Sequence, residues 1–146
     1  MTLGALFLTV LQLHWATVAY QIGAPYGEGR TLVALEGQES SYCRFKVNGW
    51  SRGCLGIKRS TARREGGDPT VTRKQLTEDN NRNLLVGLKI LLYCSVRTKS
   101  WRQSLLCYHY GEPVEKLMVQ GSVPYDPDGY VKAIQRRMKE IRVSND

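Results

Sequence analysis

The residue types able to do chemistry fall into a few short stretches of the chain. Glu36 and Glu39 lie three apart in Leu35-Glu36-Gly37-Gln38-Glu39-Ser40-Ser41-Tyr42, and a carboxyl group can carry a proton to or from a reacting oxygen. His109 stands between tyrosines in Cys107-Tyr108-His109-Tyr110-Gly111. It is a candidate base, but no Ser or Cys nucleophile is paired with it, so a structural histidine is the plainer reading. Ser40 could polarise a substrate beside Glu39, although a serine at a helix end usually bonds local backbone. Gly53 and Gly56 could let a ligand approach the backbone closely, or simply make a turn.

Cys43, Cys54, Cys94 and Cys107 show no paired CxxC or Cys/His spacing, which argues against a structural zinc site. Four cysteines permit two disulfides in three connectivities. Cys43 with Cys54 and Cys94 with Cys107 is the favoured pairing, because each pair flanks one short connection. Four reduced cysteines packed as small apolar groups are the alternative if the protein stays in a cytoplasm.

The elements that must position these groups are mostly helical. A helix from about Gly29 to Tyr42 would turn Leu32, Val33 and Leu35 inward and leave Arg30, Glu36 and Gln38 wet. Glu39 falls in its last turn, four positions after Leu35 and on the same face. Glu36 therefore reads as a surface charge. Cys43 to Lys58 carries Asn48-Gly49, Gly53 and Gly56, a turn-rich stretch that is either irregular or a short hairpin.

Ser60 or Thr61 could cap a short helix that Gly66-Gly67-Asp68-Pro69 ends. The clearest helix starts at Thr77-Glu78-Asp79-Asn80 and runs through Leu92, with Leu84, Leu85, Leu88, Leu91 and Leu92 at helical spacing. Trp101 to Tyr110 makes another, stopped by Gly111 and Pro113. Pro124 to Gly129 reads as a loop, and Tyr130 to Ile141 as a closing basic amphipathic helix.

At the other end, the apolar run Leu3 to Leu13 is shorter than the roughly 20 residues that span a bilayer, so no stable membrane span is expected. Residues 1–22 are either a secretory signal, with Thr17-Val18-Ala19 as the cleavage site, or a first helix. In the helical case Leu11, Trp15, Val18, Ala19 and Ile22 would form the inward stripe. Residues 23–146 form the domain proper, and 146 residues suffice for one core.

Lys and Arg number 21 against 13 Asp and Glu, a formal net charge of +8. Such a field attracts polyanions. The basic residues are scattered without aromatic interleaving, which favours a solvated basic surface over a nucleic-acid site. No nucleic-acid partner is expected, and a basic helical nucleic-acid binder remains the reading that a steep salt dependence of DNA affinity would reveal.

Four ordered blocks resemble the lytic transglycosylase domain, the goose-type-lysozyme-like branch of the lysozyme superfamily. Glu39-Ser40, followed two residues later by Tyr42, is similar to the family's helix-ending Glu-Ser and aromatic. Gly53-Cys54-Leu55-Gly56-Ile57, followed by Ser60-Thr61-Ala62, resembles its Gly-Leu-Met-Gln-Ile stretch and Ser-Thr-Ala, with Gly56 in the glutamine's place. Asn83 and Gly87 match residues that space the buried helix. Cys107-Tyr108-His109-Tyr110-Gly111 is similar to Ala-Tyr-Asn-x-Gly, with His109 for asparagine, and Tyr130-Val131 resembles the pair opening the last helix. The likeness spans roughly Gly23 to Ile141.

The resemblance implies a mainly α, lysozyme-like single domain acting on peptidoglycan glycan strands at the MurNAc-GlcNAc β-1,4 bond. Glu39 would be the catalytic acid and later the base, with Ser40, Gly53, Gly56, Tyr108, His109 and Tyr130 binding or orienting. Among these, Tyr108 would hydrogen-bond the catalytic carboxyl. The product implied is a 1,6-anhydromuramoyl end, with no metal or cofactor needed. A carboxyl at an apolar helix end has its charged form disfavoured, as such an acid requires.

A lysozyme-type hydrolase would need a second carboxylate across the cleft, and Asp68, Glu78 and Asp79 are the available residues. A degenerate wall-binding protein is the reading outside enzymes, favoured by the departures at Gly56 and His109. The resemblance also implies an extracytoplasmic or virion-associated place, in phage entry or lysis or in an envelope-spanning apparatus. The apolar run without a preceding Lys or Arg points to a phage product.

Overall fold

A computed structural model describes residues 1–3, 8–111 and 127–142. It is mainly helical with a small antiparallel sheet, as expected. The order begins with β1 (Thr2–Leu3), α1 (Val10–Gly23), a 3-10 turn (Ala24–Tyr26) and α2 (Gly29–Ser40). Strands β2 (Val47–Asn48), β3 (Ser51–Arg52) and β4 (Ile57–Lys58) follow, then α3 (Arg59–Arg64), α4 (Arg73–Glu78), α5 (Asn80–Ser95) and α6 (Trp101–Tyr110). Helix α7 (Pro127–Glu140) and β5 (Ile141–Arg142) complete the described chain.

Helix α1 starts at a Thr9–Gln12 capping box, in which each side chain bonds the other's backbone N–H. Its fully buried face is Gln12, Ala16, Ala19 and Gly23; of the expected stripe Ala19 is buried, Trp15, Val18 and Ile22 pack partly buried against the core, and Leu11 is 66% exposed. Small residues win because α1 lies directly on α2 and they let the two backbones approach. Gln12 is inward because its amide donates to the Ser41 carbonyl at 3.0 Å. No helix among the described residues is long and apolar enough to cross a membrane.

Helix α2 is the centre of the domain: Leu32, Val33, Ala34 and Leu35 are fully buried, with α1 on one side and α7 on another. Helix α5 buries Leu84, Leu88 and Leu91 as expected, but Leu85 is half exposed. Asp79 caps α5, accepting from the Arg82 N–H at 3.0 Å. The Thr77–Asp79 stretch also ends α4, a short helix that periodicity missed and that a Thr72–Gln75 capping box opens.

Between α2 and α3 the turn-rich stretch is a three-stranded antiparallel sheet, β2-β3-β4, with Asn48 opposite Ser51 and Arg52 opposite Ile57. Helix α3 begins at Arg59, so neither Ser60 nor Thr61 caps it. Helix α7 starts at Pro127, where the sequence suggested a loop up to Gly129: proline's fixed φ suits a first helical turn. Residues 124–126 and Pro113 lie outside the described residues. Strands β1 and β5 pair the two ends of the chain, Leu3 opposite Ile141.

Both disulfides take the favoured pairing: Cys43–Cys54 ties the end of α2 to the β3–β4 connection, and Cys94–Cys107 ties α5 to α6. Each closes a short loop, which stabilises the fold by about 3 kcal/mol, mainly by restricting the unfolded chain.

Candidate active site

The site is built on the abrupt end of α2. Ser41, Tyr42 and Cys43 all have positive φ, at 50°, 58° and 68°, a left-handed turn unusual for side-chain-bearing residues. It is closed by the Ser41 N–H on the Gly37 carbonyl at 3.1 Å and the Tyr42 N–H on the Glu36 carbonyl at 3.3 Å. Ser40 stabilises the same turn. Its hydroxyl is 2.7 Å from the Cys54 carbonyl and 3.1 Å from that of Glu36, and accepts from the Cys43 N–H at 2.8 Å. Ser40 is thus buried and engaged with backbone, a positioning residue rather than a group presented to a ligand.

Asn83 holds the other side of this connection. Its side-chain oxygen accepts from the Leu55 N–H at 2.8 Å, and its amide donates to the carbonyls of Arg52 at 2.9 Å and Leu76 at 3.0 Å. Gly53 sits against this cluster at φ +80°, where a Cβ would collide with the Asn83 amide and the Leu76 carbonyl. Gly53 therefore shapes the loop from behind. Gly56, at φ +59°, faces the site: a Cβ there would stand 2.8 Å from Oε2 of Glu39. The carboxyl rests on bare backbone.

Glu39 is mostly covered, its side chain 16% exposed. The Tyr130 hydroxyl, from the first turns of α7, donates to its Oε1 at 2.8 Å. His109 stacks on the Tyr130 ring with centroids 3.9 Å apart and brings Nδ1 to 3.8 Å from the same Oε1. Burial, and then the charge of Glu39, push the Tyr130 hydroxyl well above the ordinary phenol range, so it remains a donor.

Tyr108, expected to hold the catalytic carboxyl, instead donates to the Leu55 carbonyl at 2.9 Å. Burial likewise raises its hydroxyl's pKa, with the Glu39 charge adding to the effect. The orienting role passes to Tyr130, because α7 reaches across the end of α2 while α6 meets the loop.

Glu39, Gly56, Tyr108 and His109 line one cleft of about 320 Å³ together with Asn48, Ser51, Lys58, Thr61 and Ile90. Sequence reasoning missed the polar wall of Asn48, Ser51, Lys58 and Thr61. The cross-strand pairing of Asn48 with Ser51, which places both at this cleft, emerges only with the hairpin register. Among the described residues lining the cleft, Glu39 is the sole carboxylate. Asp68 is elsewhere, bidentate to Arg82 at 2.6 and 2.8 Å.

Glu36 is not the surface charge that its position suggested. It is 0% exposed, and burial pushes its carboxyl up to about 8. Its Oε1 has no hydrogen-bond partner among the described residues. The Cys43 sulfur lies 3.6 Å from Oε2, but inside a disulfide it has no proton to donate. The cause lies in the turn after α2, which folds the Cys43–Cys54 disulfide back over the Glu36 carboxyl.

Fold and site together define a mainly α domain with a small antiparallel sheet and an open cleft holding one well-supported carboxyl. No family model, curated protein or solved structure matches the chain.

Proposed function

We propose that this protein cleaves the glycan strand of peptidoglycan at the MurNAc-GlcNAc β-1,4 bond, as a lytic transglycosylase with Glu39 as its acid and base. The observation that carries this reading is the carboxyl of Glu39, held by Tyr130 at 2.8 Å and alone among carboxylates on the described cleft wall. A glycosidase with two carboxylates needs the second at about 5 to 9.5 Å. A route with one carboxyl suits the wall observed here.

In that route Glu39 gives its proton to the glycosidic oxygen as the C1–O bond breaks, and the N-acetyl oxygen of the same sugar stabilises the cationic C1. The Glu39 carboxylate then takes the proton of the C6 hydroxyl, whose oxygen bonds C1. The acid is regenerated, no water is consumed, and a 1,6-anhydromuramoyl end results. Tyr130 serves the carboxylate stage, when its hydrogen bond to Oε1 is strongest. Tyr108 holds the Leu55 carbonyl, which keeps the connection carrying Gly56 against Glu39.

Disulfides persist in oxidising surroundings, and the two found here fit action outside a cytoplasm, at the cell wall, in a phage virion or in an envelope-spanning apparatus. The test is digestion of purified peptidoglycan with mass spectrometry of the released muropeptides. Anhydro ends that vanish with Glu39→Gln are expected. Reducing ends would mean hydrolysis, and no release would refute an enzymatic role for Glu39.

A further inference from the structure

Next to the cleft lies a second hollow, of about 450 Å³, that the chemistry of Glu39 does not use. Lys58, Arg59, Arg63, Arg64 and Arg73 line it around Trp50, and no acidic side chain does. Trp50 is 67% exposed at the tip of the β2–β3 hairpin, with the Arg73 guanidinium 4.7 Å from its ring centroid. Arg63 is anchored by its Nε on the Val71 carbonyl at 3.0 Å, and Arg64 meets Glu65 at 3.7 Å. Among the described residues, Lys58, Arg59 and Arg73 take part in no ion pair. Five cations held together with only Arg64 facing a carboxylate repel one another, and a bound anion relieves that repulsion.

Lys58 lines both hollows, so the basin adjoins the cleft that holds Glu39. A ligand lying in the cleft and running past Lys58 enters it. We propose that this basin binds the carboxylates of the peptide stem attached to the glycan strand, with the exposed ring of Trp50 packing against the stem or its sugar. This rests on the glycan-cleaving reading. The sugar backbone of such a strand is uncharged and its stem carries the carboxylates, so the cationic hollow matches the charged part of the substrate. The polar, less basic cleft matches the sugars. Arginine suits this use, since its planar fork takes a carboxylate through two hydrogen bonds.

The test compares peptidoglycan strands that keep their stems with the same strands stripped by an amidase and then amidated at the lactyl carboxylates that stripping exposes, using the full chain. For the wild type, kcat/KM on stem-bearing strands should exceed that on bare strands by about tenfold, carried by KM and erased by high salt. Arg59→Gln combined with Arg73→Gln should bring both strands to the bare-strand value, while Arg59→Lys with Arg73→Lys should keep much of the preference. Matching thermal melts of these exposed variants exclude unfolding as the cause.

A double variant that keeps the preference, or that loses the same factor on both strands, overturns the proposal. So does a loss of affinity confined to duplex DNA, which would make the basin a nucleic-acid surface. Bare strands that are cleaved while stems make no difference sink the proposal and leave the glycan-cleaving reading standing. Failure to cleave either strand removes both.

Discussion

Tyr130 places its hydroxyl 2.8 Å from Oε1 of Glu39, across 91 positions of sequence. The bond spans two helices whose relative position is set by other contacts. Arg137 of α7 bonds the Gln38 side chain at 3.1 Å, Arg30 of α2 reaches the Met138 carbonyl at 2.8 Å, and Ile134 of α7 is fully buried. The carboxyl is thereby aimed by the packing of α7 on α2, not by its own helix alone.

Tyr130→Phe should separate aim from fold. The phenyl ring keeps its burial and its stacking on His109, and only the donor is lost. We expect kcat for strand cleavage to fall about 10- to 100-fold, with KM changed little and a stability loss of about 1 kcal/mol. Undiminished turnover would show that Glu39 does not depend on this bond.

Gly56→Ala tests the support from the opposite side. The new Cβ must share space with Oε2 at 2.8 Å and accept φ +59°, at a backbone cost of about 1 kcal/mol. The carboxyl has to move, and a misplacement of about 1 Å can cost on the order of 100-fold in rate. Activity should therefore fall far more than the melting temperature does. Parallel losses in both would point to a purely structural glycine.

Glu36 should make stability fall as pH rises. Folded, its carboxyl keeps its proton up to about 8, whereas the unfolded chain releases it near the ordinary 4.5. Between those values the folded state holds the extra proton. The stabilisation is thus fully present below about pH 4.5, and is lost as pH rises through the window to about 8. The loss is of order a few kcal/mol. Glu36→Gln removes that titration, so the difference in melting temperature between variant and wild type should shift in the variant's favour across the window. A pH-independent difference would refute the buried, protonated state.

The two disulfides should behave differently when removed. Cys94→Ala with Cys107→Ala should cost about 3 kcal/mol and lower turnover of the folded protein less than loss of the other link does, because it joins α5 to α6 and leaves the turn after Ser40 and the connection carrying Gly56 tied. Cys43→Ala with Cys54→Ala should cost a similar amount and also lower kcat. It frees the left-handed turn after Ser40 and the connection that carries Gly56. Equal kcat in both variants under conditions where each is folded would argue against the loop as a support for Glu39.

Much of the local structure was legible in the sequence because its causes are local. Helix α6 begins after Ser100, whose side chain accepts from the Gln103 N–H, and ends at Gly111, where φ of +84° suits a residue without a side chain. The disulfide pairs followed from short connections, and Glu39 fell in the last turn of α2. Leu11 misled for α1, where close helix contact gives the most buried positions to alanine and glycine and leaves Leu11 outside.

What the sequence by itself determined is a mainly helical chain, a turn-rich insertion after Ser40, two staples favoured by proximity and a glutamate at a helix end. Those properties depend on residues within a few positions of one another: capping pairs, glycine at positive φ, apolar spacing at the helical period. The tertiary structure alone decided that Glu36 is enclosed and its carboxyl pushed up by burial, that Tyr130 rather than Tyr108 holds Glu39, and that Lys58 borders both the cleft and a cationic basin. Each of these depends on which face of one element meets another distant in sequence, and that is set by the packing of the whole core rather than by any local pattern.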